Sequence, residues 1–153
     1  MHFKHRGISI LPIDPDGHVH LVGQYRYGAG HYSWEIPAGG GNPDEEPIEA
    51  ARRELREETG LAAESWLELL RVTVSGAITD QRAVCFVAWG LGRRERDPDE
   101  QEVLRRRRVS FAEAVRMALG GEITDAVSAA TILALQARAH RGELPEDLAR
   151  LLH

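Results

Sequence analysis

The sequence holds a single cysteine, Cys85, set in the apolar segment AVCFVAW, so no internal disulfide can form. A lone cysteine in such a setting is expected to be a core residue in a reducing cytoplasm, not part of a stapled secreted fold. No apolar run approaches the ~20 residues that a membrane-spanning helix needs. The N-terminal MHFKHRGISILPIDPDG also lacks the apolar stretch and small-residue cleavage site of a secretory signal. A cytoplasmic protein with no membrane partner is therefore expected. Nor is there a surplus of basic charge. The formal net charge is −5, which argues against a nucleic-acid polymer as the main partner. A negative protein that handles phosphates must bring in positive charge locally, from arginine or from bound metal. Repeats, linkers and low-complexity segments are absent too, so residues 1–153 are expected to form one domain around a single core.

What is present is an alternation of short apolar runs and helical patterns. Gly7–Pro12 and His18–Tyr25 are β-rich and flank DPDG, a strong turn signal, so they are expected to pair as a hairpin. Trp34–Pro37 predicts a short strand leading into the glycine cluster Gly39–Gly41, which is expected to let the backbone approach closely and turn tightly before the helix. Pro47 to Thr59 predicts a helix, with proline in its first turn and Gly60 as its stop. Strands are expected at Trp66–Val74 and Ala83–Leu91, a polar loop at Gly92–Glu102 and a strand at Leu104–Val109. Helices follow at Phe111–Leu119 and Asp125–Arg141, with a short one near the C-terminus. This order implies a layered α/β domain with a mixed sheet.

The helix at 47–59 belongs to an unusually acidic stretch. Between Asp44 and Glu58 lie seven acids, with Arg52, Arg53 and Arg56 as the bases. At about 100° per residue, Glu54, Glu57 and Glu58 fall within roughly 100° of one another. Like charges at this spacing repel by a few tenths of a kcal/mol when exposed. Clustered carboxylates are also the oxygen ligands that a hard divalent cation needs. Ile48, Ala51 and Leu55 form the opposite, apolar stripe. The competing reading is a solvated surface helix laced with Arg–Glu pairs such as Arg53–Glu57. A Walker phosphate loop is excluded, because no Gly-Lys-Ser/Thr follows the glycines.

The spacing decides between them. In GGGNPDEEPIEAARRELREETGL, Gly39 is followed by Glu45, Arg53, Glu54, Leu55, Glu57, Glu58, Gly60 and Leu61 at the intervals of the Nudix box, nine fixed positions over residues 39–61. The chain thus resembles the Nudix hydrolases. The resemblance implies an α/β/α sandwich whose box forms a loop–helix–loop holding divalent metal. It implies Glu54, Glu57 and Glu58 as metal ligands, with the carbonyl of Ala38 as a further one. It assigns Glu45 and Arg53 to bracing the box, and Gly39, Gly60 and Leu61 to its structure. Mg²⁺ is the expected ion, with Mn²⁺ as the alternative.

Outside the box, QYRYGAGHYSWEIPAGGG, SGAITDQRAVCFVAWGL and GGEITDAVSAATILAL resemble the ADP-ribose pyrophosphatase-like branch. That likeness implies Arg26 at a phosphate or terminal ribose and Glu35 near the substrate. It places the general base in the acidic loop RRERDPDEQEV, at Glu100 or Glu102, with Glu57 of the box as the alternative. The expected reaction is hydrolysis of the pyrophosphate bond in a nucleoside diphosphate linked to another group, ADP-ribose or a similar nucleotide sugar. Two other functions stay open: a nucleoside triphosphate pyrophosphohydrolase, and a non-catalytic nucleotide-binding Nudix domain. The chain departs from the branch at Val74-Ser75-Gly76, where a proline is common, and at Gln81, where a glutamate often follows the TD pair. It also begins almost at the first hairpin, without the strands that many of those enzymes use to dimerise, so a homodimer is left open.

Three further signals carry little. Arg105–Arg108 would alternate faces in a strand and fit best on a sheet edge. His18 and His20 share one strand face, and Ser75 has no His and Asp at a recognisable spacing.

Overall fold

A computed structural model describes residues 6–28, 30–77, 80–93 and 105–153. The elements run β1 (Arg6–Pro12), β2 (His18–Arg26), β3 (His31–Glu35), β4 (Ala38–Gly41), α1 (Pro47–Thr59), β5 (Leu61–Thr73), β6 (Arg82–Arg93), β7 (Arg106–Ser110), α2 (Phe111–Leu119), α3 (Ala126–His140) and α4 (Glu146–Leu151). The strands form a four-stranded sheet, β4-β1-β6-β5, and a three-stranded sheet, β3-β2-β7. No helix among the described residues is long and apolar enough to cross a membrane.

β1 and β6 pair in parallel at the centre of the larger sheet, as their near-continuous apolar runs require, since a strand covered on both faces has no polar side. Ile8 and Ile10 of β1 join Val84, Phe86 and Ala88 of β6 against Ala50, Ala51 and Leu55 of α1. The alternate residues Leu11, Val87 and Trp89 enter a second core with Val19 and Leu21 of β2, Phe111 and Val115 of α2, and Ile132 and Leu135 of α3. Helix α1 therefore lies on one face of the mixed sheet and α2 and α3 lie on the other side, the layered α/β/α arrangement expected. Cys85 is fully buried in this interior.

The expected hairpin does not form. DPDG does reverse the chain, with Asp14 N–H on the His18 carbonyl at 2.9 Å and Gly17 at φ 77, and Ile13 bridges Val19. Beyond that bridge β1 and β2 splay into different sheets. Both edges of β1 are already taken, by β4 antiparallel and β6 parallel, because a strand that is apolar on both faces is most stable inside a covered sheet. The expected strand at Trp34–Pro37 is likewise corrected. β3 ends at Glu35, Ile36 and Pro37 cross between the sheets, and the glycines build β4 where a tight turn was expected.

Helix α1 has the predicted bounds, with Pro47 in its first turn and Gly60 as a left-handed C-cap at φ 73. β5 starts at Leu61, directly after that cap, and bulges between Glu68 and Leu70. Arg138 of α3 donates to the carbonyl freed at the bulge, that of Leu69, at 2.6 Å. α2 also has its predicted bounds and is capped by Ser110. α3 is flanked by Asp125 and Arg141 as its caps. β7 is an edge strand, and Arg105–Arg108 are all exposed. The polar loop expected at Gly92–Glu102 falls mostly outside the described residues, and Glu100 and Glu102 with it.

Candidate active site

The site forms where the N-terminal strand of the box, β4, passes over α1. Glu54 points at β4 so closely that a Cβ on Gly39 would lie 2.0 Å from its carboxyl carbon. Only a residue with no side chain can occupy position 39 while Glu54 keeps this place. Glu58, one turn on, accepts the N–H of Ala38 at 2.9 Å. Glu54 and Glu58 thus flank the Ala38–Gly39 peptide, and Glu57 stands at the solvent side.

One guanidinium serves most of this acid. Arg53 donates to Glu54 at 2.9 Å, to Glu57 at 3.4 Å, to Glu45 at 3.1 and 3.3 Å, and to the carbonyl of Gly40 at 2.9 Å. Glu45 also accepts the Asn42 N–H, which ties the loop before the helix to the helix itself. Gly60 closes the helix by donating its N–H to Arg56 at 2.8 Å, and Leu61 is buried beside Leu55.

The arrangement is short of positive charge. Burial raises Glu54, and Glu57 adds to the effect while Arg53 opposes it. Glu58 is pushed up to about 7 by burial, reinforced by Glu54, Glu35 and Glu57 and opposed by the Ala38 N–H. Glu45 is held below its ordinary value by Arg53 and the Asn42 N–H. Carboxylates that are half-buried, mutually repelling and supplied with oxygen alone are the donor set a hard divalent cation prefers. Among the described residues no three acidic, histidine or cysteine side chains already converge as a closed cage. Each carboxylate takes its own donor: Arg53 for Glu54 and Glu57, the backbone for Glu58.

The facing wall of the same cleft comes from the smaller sheet. Arg26 grips Glu35 with two hydrogen bonds, at 2.8 and 2.5 Å. Burial drives Glu35 up, but Arg26 and Ser33 outweigh it and hold the carboxyl below its ordinary value. Arg26, Glu35, Ala38, Gly39, Glu58 and Asp125 line one cleft of about 390 Å³. Glu58 of the acid cluster and the Arg26–Glu35 pair therefore share one space.

Asp125 was read from the sequence only as the start of a helix, yet it lines this cleft. An aspartate at the start of a helical pattern says where the helix begins and not what it faces. Trp34 lies outside the cleft. It is half-buried against the core, edge-on to Tyr32 at 5.4 Å and beneath Arg107 at 5.8 Å. His20 is bound to Asp14 at 2.9 Å, which accounts for it as part of a turn.

The NUDIX domain model matches residues 3–131. The chain is 35% identical over 137 residues to the ADP-ribose pyrophosphatase of Mycobacterium tuberculosis, covering 85% of this chain and 64% of that protein. It is 32% identical over 136 residues to the ADP-ribose pyrophosphatase of Bacillus subtilis, covering 87% and 74%. The chain thus spans less than two thirds of the length of the first of these relatives. The RNA pyrophosphohydrolase of Xanthomonas campestris matches over 66 residues at 44% identity, 43% of this chain. A crystal structure of an ADP compounds hydrolase superposes with a TM-score of 0.81 over 93% of this chain and 77% of that one, at 24% identity, so the fold is shared.

Proposed function

The chain belongs to the Nudix family, and from that premise we propose that it is a divalent-metal-dependent hydrolase of ADP-ribose or a similar nucleotide sugar. The observation that carries this reading is the cleft itself, with Glu58, the raised carboxyl of the acid cluster, beside Ala38 and Gly39 on one wall and Arg26 paired to Glu35 on the other. The two ADP-ribose pyrophosphatases that the chain resembles along most of its length support the substrate class.

In this reading Glu54, Glu57, Glu58 and the Ala38 carbonyl hold Mg²⁺, with Mn²⁺ as the alternative. Bound there, the cation would neutralise charge on the phosphoryl oxygens and favour attack by water. Arg26 exchanges its contact with Glu35 for a phosphate or ribose of the substrate, which leaves the Glu35 carboxylate free to accept a sugar hydroxyl. Arg53 stays behind the carboxylates and keeps Glu45 and the Gly40 carbonyl in place. Water adds to one phosphorus, the bridging P–O bond breaks, and the bridging oxygen leaves with the other phosphate. The products are a nucleoside monophosphate and a sugar phosphate.

The test is incubation with ADP-ribose and Mg²⁺. AMP and ribose 5-phosphate should form, and a chelator should stop the reaction. No hydrolysis of ADP-ribose, with turnover of a nucleoside triphosphate instead, would overturn the substrate assignment. For the general base, Glu57→Gln, Glu100→Gln and Glu102→Gln separate the alternatives, since loss of the true base costs about 10²–10⁴-fold in rate.

A further inference from the structure

Serine inside a helix commonly back-bonds to its own preceding turn. Thr131 of α3 does so, donating to the Val127 carbonyl at 2.7 Å. Ser128, three residues earlier in the same helix and fully buried, does not. Its hydroxyl donates to Asp125 at 2.6 Å, and the same carboxylate oxygen also accepts the Ser128 N–H at 2.9 Å. A helix cap needs only the second of these contacts. The first fixes the hydroxyl rotor, so that the serine oxygen turns its lone pairs away from α3. There it accepts the N–H of Ile36 at 3.1 Å.

Ile36 sits where the chain leaves one sheet for the other, beyond the β2–β3 ladder. Its N–H is buried, and Ser128 supplies the acceptor. The next two residues are pinned in turn. The Pro37 carbonyl accepts from Ile10 at 2.9 Å, and the Ala38 N–H donates to Glu58 at 2.9 Å. Glu35, immediately before, holds Arg26. A single crossing strand thus carries a substrate-wall residue at one end and a metal-wall residue at the other, and α3 grips it between them.

We propose that Ser128, oriented by Asp125, is a positioning residue that sets the Ile36–Ala38 segment and with it the Ala38 carbonyl as a metal ligand. The inference rests on the metal reading above, and not on the identity of the nucleotide. Hydrogen-bonded partners one step behind a ligand typically change metal affinity by 10–100-fold when removed.

The experiment measures Mn²⁺ binding to the nucleotide-free protein by electron paramagnetic resonance, alongside amide hydrogen exchange at Ile36. Ser128→Ala should weaken Mn²⁺ by about tenfold or more and speed exchange at Ile36. Asp125→Ala, which frees the hydroxyl rotor, should move both in the same direction. Asp125→Asn keeps an oxygen that accepts both Ser128 donors and should restore both towards wild type. A purely structural cap would lower the unfolding temperature of Asp125→Ala without changing Mn²⁺ affinity, and that result would overturn the proposal. So would Asp125→Asn as weak for Mn²⁺ as Asp125→Ala, since charge in the cleft would then be what matters. If Ser128→Ala does not fold, the Asp125 pair alone decides. A wild type that binds no Mn²⁺ overturns the metal reading and this inference together. One that binds Mn²⁺ yet leaves ADP-ribose intact overturns only the substrate assignment.

Discussion

Asp14 and Glu58 are both largely withdrawn from water, and they are pushed in opposite directions. Burial works against the charged form of each. At Asp14 it is outweighed by Arg108, His20 and the N–H groups of His18 and Asp16, with donor distances of 2.5 to 3.0 Å, and the carboxyl falls well below the usual range. At Glu58 burial and three neighbouring carboxylates outweigh the Ala38 N–H, and the group rises to about 7. The first carboxylate brings its own donors because its task is to tie the turn after β1 to the edge strand β7. The second is left in deficit on the wall of a cleft. Arg53, on the same helix, is bonded to Glu45, Glu54 and Glu57. That deficit is what an incoming cation would fill.

Replacing the deficit carboxylate tests the contrast most strongly. Glu58→Gln is expected to cut hydrolysis of ADP-ribose by at least about 10²-fold, because it removes a proposed ligand of the cation that would stabilise the developing phosphoryl charge. The metal-free protein should keep its stability, because a buried like-charged group has been removed; chemical unfolding in chelator checks this. If metal-free Glu58→Gln lost as much stability as an Asp14 variant, the contrast would be broken.

Gly39→Ala attacks the same wall from the other side. Its Cβ would displace Glu54, and a shift of about 1 Å at such a site costs on the order of 10²-fold in rate. The readout is kcat at saturating Mg²⁺.

Asp14→Ala should show the reverse profile. A buried carboxylate with charged donors contributes about 2 kcal/mol, while turnover per folded molecule should be unchanged. Because the folded carboxyl lies below its ordinary value of 3.8, its contribution is fully present above about pH 4 and fades as pH falls towards the folded value. Urea unfolding of wild type and variant should therefore differ at pH 7 and draw together in strong acid. A difference that persisted undiminished there would count against the ionised contacts.

The smallest effect is expected at Arg52, whose pairing with Glu49 is exposed on both sides. Arg52→Ala should shift stability by no more than about 0.5 kcal/mol and leave rate unchanged. Its neighbour Arg53→Ala should reduce the rate, so that the two adjacent arginines separate by position alone.

Much of this was legible in the chain. The spacing of Gly39, Glu45, Arg53, Glu54, Glu57 and Glu58 identified the box, and Pro47 and Gly60 marked the ends of α1 because their backbone preferences are local. The hairpin expectation failed for an equally physical reason. DPDG reports a reversal of direction and says nothing about which strand each arm will pair with beyond the turn. The glycines were expected to allow both a close approach of the backbone and a tight turn; the approach is found at Gly39, and the turn is replaced by strand β4. Gly39 lets β4 pass against Glu54, a contact that depends on how helix α1 packs on the sheet and not on the glycines' own neighbours in the chain. Glu100 and Glu102, the loop candidates for the base, lie outside the described residues.

What the sequence determined by itself was the chemistry available: a face of three carboxylates, fixed by helical periodicity, and a family, fixed by spacing. Tertiary structure decided which of those carboxylates is raised most by burial, that Arg26 and Glu35 share one cleft with it, and that a serine in α3 holds the strand between. These outcomes depend on desolvation and on contacts between elements distant in sequence, such as the 92 residues that separate Ile36 from Ser128. Neither quantity is carried by any local run of residues, and both exist only once the sheets and helices have packed.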